Sequence, residues 1–402
     1  MGVDSEAVLL TEISVEGFRS LRDASFRPGP VTALVGEPGT GKSNLLAAVR
    51  AVLDPKGAPL TSGDVARDRR GPIRITVRTS REESCTVRAD PPDGQVREGA
   101  KMPVVAFMPA ALRADSLIAP PVPPGLAKVR AGGRTPGRRG DAEAARGLVT
   151  VIEDWVGHGV TGVVVLIEEP ELFLPPQVQR YLYRLLRRLA EKGNQVLYST
   201  HSPSFLNVAR LDEIVFTDFE PDSGTTFTQP VPVPPDEEFR AYSEFDAARS
   251  ELFLARAAVL VEGQTERLAL PFVFQALGHD PDREGISIIE CGGKPNIPVI
   301  ARVARAVGVP FLAVHDRDAP ARKQPNLAEQ RLNRLIAEIA GQDAVELAPD
   351  FEGVARLRGR QKHKPARAWR NFSHRRADEF PPQLVRIVER AVALARGGPG
   401  RE

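Results

Sequence analysis

A glycine-rich turn between an apolar strand and a helix constrains this chain of 402 residues more than any other feature. Residues Gly36 to Ser43 read GEPGTGKS and fit the pattern G-x-x-x-x-G-K-[ST]. The apolar run Val31–Val35 leads in, and a helical pattern over Asn44–Leu53 leads out. Such glycines let backbone N–H groups turn toward phosphate oxygens, and the helix N-terminus adds its positive dipole end. The sequence therefore predicts a phosphate-binding loop in an α/β fold, rather than an ordinary Gly-rich turn.

The loop pattern assigns a role to each part of the turn. Lys42 is expected to reach the β and γ phosphates of ATP, and Ser43 to ligate Mg²⁺. The residues expected to contact the nucleotide are Gly36, Glu37, Pro38, Gly39, Thr40, Gly41, Lys42, Ser43 and Asn44.

A second apolar strand, Val163–Ile167, is followed by Glu168 and Glu169. We expect Glu168 to hold the Mg²⁺ shell and Glu169 to act catalytically by polarising the attacking water. Two acids after a strand are, by themselves, better explained as solvated charges. Their place about 125 residues after the phosphate-binding loop favours the catalytic interpretation. The next strand, Gln195–Ser199, leads to His201, which is placed to sense the γ-phosphate.

Four further carboxylates follow two strands of the second half. Glu262 and Glu266 come after Ala257–Val261, and Asp316 and Asp318 come after Pro310–His315. A sheet would bring these strand ends together, and four anions in one crevice repel each other unless a cation neutralises them. Divalent ions with oxygen ligands are the natural answer, and two such ions can steady both oxygens of a phosphodiester displacement. The alternative is that each acid caps a helix or faces solvent.

The charges are unevenly distributed along the chain. There are 54 Lys and Arg against 52 Asp and Glu, a net charge of +2, yet no acid lies between Gly353 and Arg376. The basic stripe there comprises Arg356, Arg358, Arg360, Lys362, Lys364, Arg367, Arg370, Arg375 and Arg376. Next to an acidic cluster, it predicts a polyanionic substrate held by salt-sensitive phosphate contacts. Trp369 is expected either to stack on an unpaired base or to belong to the core.

The composition also indicates the cellular compartment in which the protein is expected. Cys85 and Cys291 cannot form a disulfide framework or a four-Cys zinc site, which favours a reducing, cytoplasmic location. The first ten residues lack the pattern of a signal peptide, and the most apolar run is far too short to cross a membrane.

A proline-rich segment near the middle of the chain indicates two α/β domains. Residues 229–236 read QPVPVPPD, a stiff segment that suits a linker. We expect one domain over residues 1–240 and another over residues 250–402 with a basic C-terminal segment. A Pro/Gly-rich stretch without apolar periodicity indicates a shortened arm insertion near residues 110–150 of the first domain.

The first half resembles the ABC ATPases of the SMC-like branch, and most of all the ATPase half of OLD (overcoming lysogenization defect) family nucleases. The segments that carry the resemblance are ISVEGFRSLRDASF, GEPGTGKSNLLAAV, IEEPELFLPPQ and STHSPSFL. It implies an ABC-type P-loop ATPase head and a homodimer. Phe173 and Pro175 stand where the branch usually has histidines, and no clear Ser-Gly-Gly signature precedes Val163. ATP binding is therefore expected, and hydrolysis is left open.

The second half is similar to the Toprim domain, a Rossmann-like α/β domain. The pattern V-E-G-x-T-E, followed by a strand and D-x-D, carries this resemblance, with the turn Cys291 to Lys294. It implies metal ligation by Glu262, Glu266, Asp316 and Asp318, with Glu262 also a candidate for acid–base catalysis. Asp350 and Glu352 fall where OLD-type Toprim domains carry further acidic ligands. Lys364, with Lys362 as a close rival, matches the lysine that stabilises transition-state charge.

Together the resemblances imply an ATP-binding DNA endonuclease that uses Mg²⁺, or Mn²⁺ or Ca²⁺ at the Toprim site, and that serves phage defence or DNA repair. A topoisomerase would need a tyrosine nucleophile, but no Tyr follows Tyr242, and two cysteines cannot form a primase zinc ribbon. Two alternatives stay open: an SMC-like clamp that binds DNA without cutting it, and an ATPase subunit that depends on a helicase or another defence-system partner.

Overall fold

The computed structural model of the chain divides into two compact units. The first comprises residues 1–206 and 212–229, and the second comprises residues 207–211 and 230–402. The structure describes residues 7–54, 56, 58–66, 71–90, 94–110, 141–230, 248–317, 327–357 and 364–397. Most of the predicted linker and residues 111–140 of the predicted arm lie outside the described residues.

The first unit contains two sheets. Its strands are β1 (Leu10–Phe18), β2 (Leu21–Phe26), β3 (Val31–Val35), β4 (Ile73–Thr79), β5 (Ser84–Ala89), β6 (Gln95–Gly99), β7 (Val104–Met108), β8 (Val163–Glu168), β9 (Gln195–Ser199), β10 (Ile214–Glu220) and β11 (Gly224–Thr228). Its helices are α1 (Lys42–Leu53), α2 (Asp141–Gly157) and α3 (Pro176–Glu191).

One sheet is antiparallel with the order β2-β1-β4-β5-β6, and the other has the order β11-β10-β3-β9-β8-β7. In the second sheet β3, β7, β8, β9 and β10 pair in parallel. Residues alternate between buried and accessible along β4, whereas β3 and β9 are buried throughout, as central parallel strands are. Helix α1 contributes Leu45 and Val49 to a core shared with residues of both sheets.

The second unit is a four-stranded parallel sheet with helices. Its strands are β12 (Ala257–Val261), β13 (Ile286–Glu290), β14 (Phe311–Asp316) and β15 (Ala344–Leu347), in the order β13-β12-β14-β15. Its helices are α4 (Gln264–Ala276), α5 (Ile297–Ala306), α6 (Leu327–Ala340), α7 (Phe351–Val354), α8 (Lys364–Phe372) and α9 (Pro382–Gly397). Helices α4, α8 and α9 share one core with alternate residues of β12.

The topology brings the predicted motifs to the sheet edges expected to carry a site. Parallel strands present their carboxyl ends at one edge, where α/β proteins bind ligands. In the first unit this edge carries Gly36, Glu169 and Thr200, and in the second it carries Glu262 and Asp316. No helix within the described residues is both long enough and apolar enough to span a bilayer.

Candidate functional site

The phosphate-binding loop has the strand–turn–helix geometry that its sequence predicts. Gly41 adopts φ +103°, and a Cβ there would lie 2.2 Å from Thr225 Oγ1 and 2.6 Å from Ser20 Oγ. Only glycine therefore fits, because both the left-handed backbone and the close approach exclude a side chain. Thr40 is held by Thr217, with 3.0 Å between the two hydroxyl oxygens. Residues distant in the sequence, Ser20, Thr217 and Thr225, therefore constrain the conformation of the loop.

Lys42 lies inside the loop that it is expected to serve. Its Nζ donates to the carbonyl oxygens of Gly36 at 2.8 Å and Glu37 at 2.7 Å. Burial lowers the pKa of Lys42 to about 8, although the carboxylates of Glu169, Glu171 and Glu37 oppose this shift. The ammonium is therefore poorly solvated where phosphate oxygens would replace the two carbonyls as its partners.

Ser43 and Glu168, the two predicted Mg²⁺ ligands of this unit, meet in the structure. The Ser43 side chain hydrogen-bonds the Glu168 carboxylate, which also accepts the Ala110 N–H at 3.1 Å. Burial is the main reason that the pKa of Glu168 is raised, and the neighbouring Glu169 adds to it. A cation between these oxygens would restore the charged carboxylate.

Glu169 and His201 flank Lys42 from the ends of neighbouring strands. Glu169 has φ +44°, and its N–H donates to the Ser199 carbonyl at 3.0 Å. The pKa of His201 is lowered by burial and by the Lys42 charge, while Glu169 raises it. The two side chains are thus near the position where a terminal phosphate would meet Lys42.

Glu171 is part of this site and was missed from the sequence. Its Oε1 accepts the His201 N–H at 2.6 Å, and Thr200 also hydrogen-bonds it. Burial raises the pKa of Glu171, and the other carboxylate oxygen is buried without a hydrogen-bond partner among the described residues. The signal available was a third acid two residues after Glu169, in IEEPE.

Asn44 faces the first hairpin. Its Nδ2 donates to Ser20 Oγ at 2.8 Å, and Arg19 Nη1 donates to its Oδ1 at 3.3 Å. Pro38 and Gly39 are exposed in the loop, and Glu37 is half-buried. The nine nucleotide contacts predicted from Gly36 to Asn44 form one continuous loop and helix start.

In the second unit, one hydrogen bond joins the two acidic strand ends. The Asp316 N–H donates to Glu262 Oε1 at 2.7 Å, and the Phe351 N–H donates to Asp316 Oδ1 at 2.7 Å. The Gly293 N–H donates to the Glu262 carbonyl at 2.7 Å, so the turn after β13 also fixes Glu262. Backbone groups thus hold Glu262, which follows β12, and Asp316, which ends β14, at the same edge of the sheet.

Glu266 lies one turn into α4 and is buried, with 8% of its surface exposed. The pKa of Glu266 is raised to about 7, mainly by burial and in part by the charges of Glu262 and Glu352. Backbone hydrogen bonds, one of them to Gly263, oppose the shift. Burial is thus the main cause of the raised pKa, and the two neighbouring carboxylates add to it.

The two later acids have different surroundings. Glu352 is close enough to Glu266 to raise its pKa, whereas Asp350 caps α7 by accepting the Gly353 N–H at 2.7 Å. The structure thus brings Glu352 toward the cluster and gives Asp350 a structural task.

Lys294, which was assigned only to a turn, is a buried member of this edge. Its ammonium donates to the Asp316 carbonyl oxygen and forms an ion pair with Glu329 at 3.1 Å. Its distance in sequence from both partners explains why no local pattern revealed this position.

Asp318 and Lys362 lie outside the described residues, and Lys364 begins α8 with its side chain outside them. Among the described residues, no group of three His, Cys, Asp or Glu side chains is arranged to hold a metal ion. Glu262, Glu266 and Asp316 all lie near the carboxyl edge of this sheet, and all three are oxygen donors, the type that divalent cations prefer. The Glu262 charge raises the pKa of Glu266, and a bound cation would relieve the repulsion between these two carboxylates.

The described part of the basic stripe separates into exposed and buried residues. Trp369 is 55% exposed, which rules out the alternative that it belongs to the core, whereas Phe372 is buried. Arg375 turns inward, where its guanidinium lies 4.9 Å from the Phe372 ring centre and donates to the Ala355 carbonyl. Arg370 remains on the exposed surface beside Trp369.

Comparison with known families is consistent with both units. A family model described as overcoming lysogenization defect protein-like, TOPRIM domain, matches residues 253–318. Two AAA domain models match residues 12–104 and 160–207.

Similar proteins are found among nucleases. The OLD nuclease of Thermus scotoductus is 35% identical over 226 residues, which cover 50% of this chain and 42% of the relative. The Old nuclease of Escherichia phage P2 is 26% identical over 165 residues, which cover 39% of this chain and 28% of the relative. These alignments span less than half of either relative. The SMC head domain from Thermotoga maritima aligns over 56% of this chain and 99% of its own, with 17% identity and a TM-score of 0.36, too low to carry weight.

A phosphate-binding loop with acidic strand ends, combined with a separate carboxylate edge, defines a P-loop ATPase joined to a Toprim domain. The predicted α/β fold is confirmed. The chain is similar to the OLD family of ATPase–Toprim proteins. Domains of these two kinds generally use a nucleotide and a divalent metal ion.

Proposed function

We propose that this chain is an ATP-binding endonuclease that hydrolyses DNA phosphodiesters with Mg²⁺ or Mn²⁺. The hydrogen bond from the Asp316 N–H to Glu262 Oε1 carries the proposal. It keeps two carboxylates of different strands together at the carboxyl edge of a parallel sheet, although they repel each other. A protein that only bound DNA would gain nothing from anions facing phosphate.

The reaction assigned to this edge is attack of water on phosphorus, with loss of one bridging oxygen. A bound divalent ion would supply charge neutralisation for the phosphate and its leaving oxygen. Glu262, Glu266 and Asp316 would hold that ion, with Asp318 and Glu352 completing the set. Glu262 takes the proton of the attacking water and later returns a proton to the leaving oxygen.

Lys364 is assigned to the charge that builds on the phosphate oxygens in the transition state. Glu266 must lose its proton before it can ligate, so its pKa of about 7 leads us to expect metal loading that strengthens as the pH rises through neutrality.

The first unit binds ATP through its loop. Lys42 pairs with the phosphates, Ser43 and Glu168 share the ion that accompanies the nucleotide, and Glu169 orients the attacking water. His201 contacts the terminal phosphate. We assign ATP the control of assembly or of DNA access rather than the phosphodiester chemistry, with a homodimer as the assembled form.

The domain assignment belongs to the same proposal: an ATPase domain over residues 1–240 and a nuclease domain over residues 250–402. The biological setting that fits it is phage defence or DNA repair.

The test is conversion of supercoiled plasmid to nicked circles with Mg²⁺ or Mn²⁺, each with and without ATP. Asp316→Asn removes the charge but keeps an oxygen that can accept the Phe351 N–H, so the fold has no reason to change. Glu338→Gln removes one charge from the exposed face of α6 and is the matched control.

We expect nicking to fall by about 100-fold or more in Asp316→Asn, since losing a metal ligand costs several kcal/mol of transition-state stabilisation. Glu338→Gln should cut like the parent. If the folded parent converts no more plasmid than Asp316→Asn, the endonuclease proposal fails. ATP-dependent DNA binding without cutting would then favour the clamp.

A further inference from the structure

Trp369 is an exposed indole on a helix whose other large aromatic is buried. Ala368 and Phe372, one turn apart on α8, are buried, and they define the face that joins the core. Trp369 lies about 100° around the helix from Ala368, and Arg370 lies about 200° from it. Both therefore leave the core face, and both are exposed. The indole therefore presents a flat apolar face at the surface, which is available for stacking on a partner.

The helix that carries the exposed indole packs against the elements that carry the carboxylates. The Phe372 ring stacks on Phe351 with centroids 6.1 Å apart and also contacts Phe380 at 5.4 Å. Phe351 is the residue whose N–H donates to Asp316 Oδ1. Helix α8 also packs against α4, the helix that carries Glu266. The position of Trp369 is therefore set by the same elements that set the carboxylates.

The charge around Trp369 identifies the kind of partner. No acid occurs between Gly353 and Arg376 in the sequence. Arg375 is used in the core and Arg376 contacts Asp378, so these two cations are engaged within the protein. Arg356 and Arg370 are exposed. An exposed ring next to Arg370, in a segment without acids, complements a partner that has both a ring face and a negative backbone, which is an unpaired nucleotide.

We propose that Trp369 stacks on an unpaired base of a DNA strand bound along α8, so that this protein prefers single-stranded or locally opened DNA. The inference rests on the proposed nuclease function and names its substrate class. Arg370 contacts a phosphate of the same strand. A duplex offers its phosphates to Arg370 but hides its base faces, so it forfeits the Trp369 contact.

The test uses the emission of Trp369 itself. The chain has two tryptophans, and the other one, Trp155, is 7% exposed. In a Trp155→Phe background, Trp369 is the only indole and reports its own surroundings. The full chain is titrated in EDTA, where no cutting occurs, with an oligothymidylate of about 16 nucleotides or a duplex of equal length. We expect the oligothymidylate to quench the emission and the duplex to leave it unchanged.

Affinities measured by fluorescence anisotropy of labelled DNA separate stacking from charge. Trp369→Ala should weaken single-strand binding by about 5- to 100-fold and duplex binding by less than about twofold. Trp369→Phe retains a ring face and should recover most of the loss. Arg370→Ala should weaken both DNA forms and reduce the single-strand salt slope by about 0.7.

Equal loss for both DNA forms in Trp369→Ala would overturn the inference, as would unquenched emission with saturating oligothymidylate. Emission that changes with protein concentration alone would assign Trp369 to a second copy of the chain and would also overturn it. Quenching of the emission without plasmid nicking would refute the nuclease function but support the base contact. Plasmid nicking together with unquenched Trp369 emission would support the nuclease function and refute the base contact.

Discussion

Replacing Glu266 with glutamine is expected to stabilise the metal-free protein while removing a metal ligand. The side chain is buried near Glu262 and Glu352, so its charge is opposed by burial first and by two like charges second. Glutamine has nearly the same shape and can still accept the backbone N–H of Gly263. The substitution therefore removes the charge and keeps the hydrogen bond.

The magnitude follows from the pKa of Glu266, which is raised from its ordinary 4.5 to about 7. Below pH 4.5 both the folded and the unfolded protein hold the proton, and the charge costs nothing. As the pH rises from 4.5 to 7, the unfolded chain releases its proton while the folded protein keeps it, so folding loses free energy. Above pH 7 the loss is complete at about 3 kcal/mol.

Glu266→Gln escapes this loss, so its advantage should be absent near pH 4.5 and about 3 kcal/mol at pH 8. For a unit of this size, that corresponds to a melting temperature higher by about 6–12 °C. Thermal melting of the full chain in EDTA across this pH range measures it. Glu338→Gln, on the exposed face of α6, is the control and should stay within about 0.5 kcal/mol of the parent at every pH.

Adding Mg²⁺ at pH 8 should raise the melting temperature of the parent more than that of Glu266→Gln, because the cation neutralises a charge that only the parent has. The reasoning is refuted if Glu266→Gln melts at or below the parent at pH 8. A difference that is the same at pH 4.5 and pH 8 would refute it equally, since the effect would then be unrelated to ionisation.

Two further predictions concern the nucleotide loop. Because burial lowers the pKa of Lys42 to about 8 and phosphates need the ammonium, ATP affinity should hold below pH 7 and weaken about 30-fold by pH 9.5, with proton uptake seen by calorimetry. Gly41→Ala should abolish ATP binding and destabilise the protein, since its Cβ would meet Thr225 Oγ1 at 2.2 Å. Gly39→Ala, at φ +87° with open space around it, should cost only the left-handed backbone, about 1–2 kcal/mol.

Each of these has a contradicting outcome. An ATP affinity that stays constant between pH 7 and pH 9.5 would show that Lys42 remains charged in the empty loop. Equal melting temperatures for Gly41→Ala and Gly39→Ala would show that the contact with Thr225 does not constrain the turn.

Both candidate sites could be predicted from the sequence because the patterns that indicate them are local. A strand, a turn of fixed glycine spacing and a helix must be contiguous for backbone N–H groups to surround a phosphate, so Gly36 to Ser43 could be read directly. An acid that directly follows a buried strand, such as Glu262 or Asp316, must emerge at the carboxyl edge of a parallel sheet. The residue roles assigned to both edges stay predictions.

Tertiary structure decided what depends on contacts between distant segments. Glu171 joined the nucleotide site because a strand 30 residues later brings the His201 N–H to it. The order of the strands brings the Lys294 ammonium to the carbonyl oxygen of Asp316, which is 22 residues away in the sequence. The periodicity of the sequence could not show which of Phe372 and Trp369 is buried, because both are aromatic residues in one basic helix. Only the packing of Phe372 on Phe351 fixed which face of α8 is buried and left the indole at the surface.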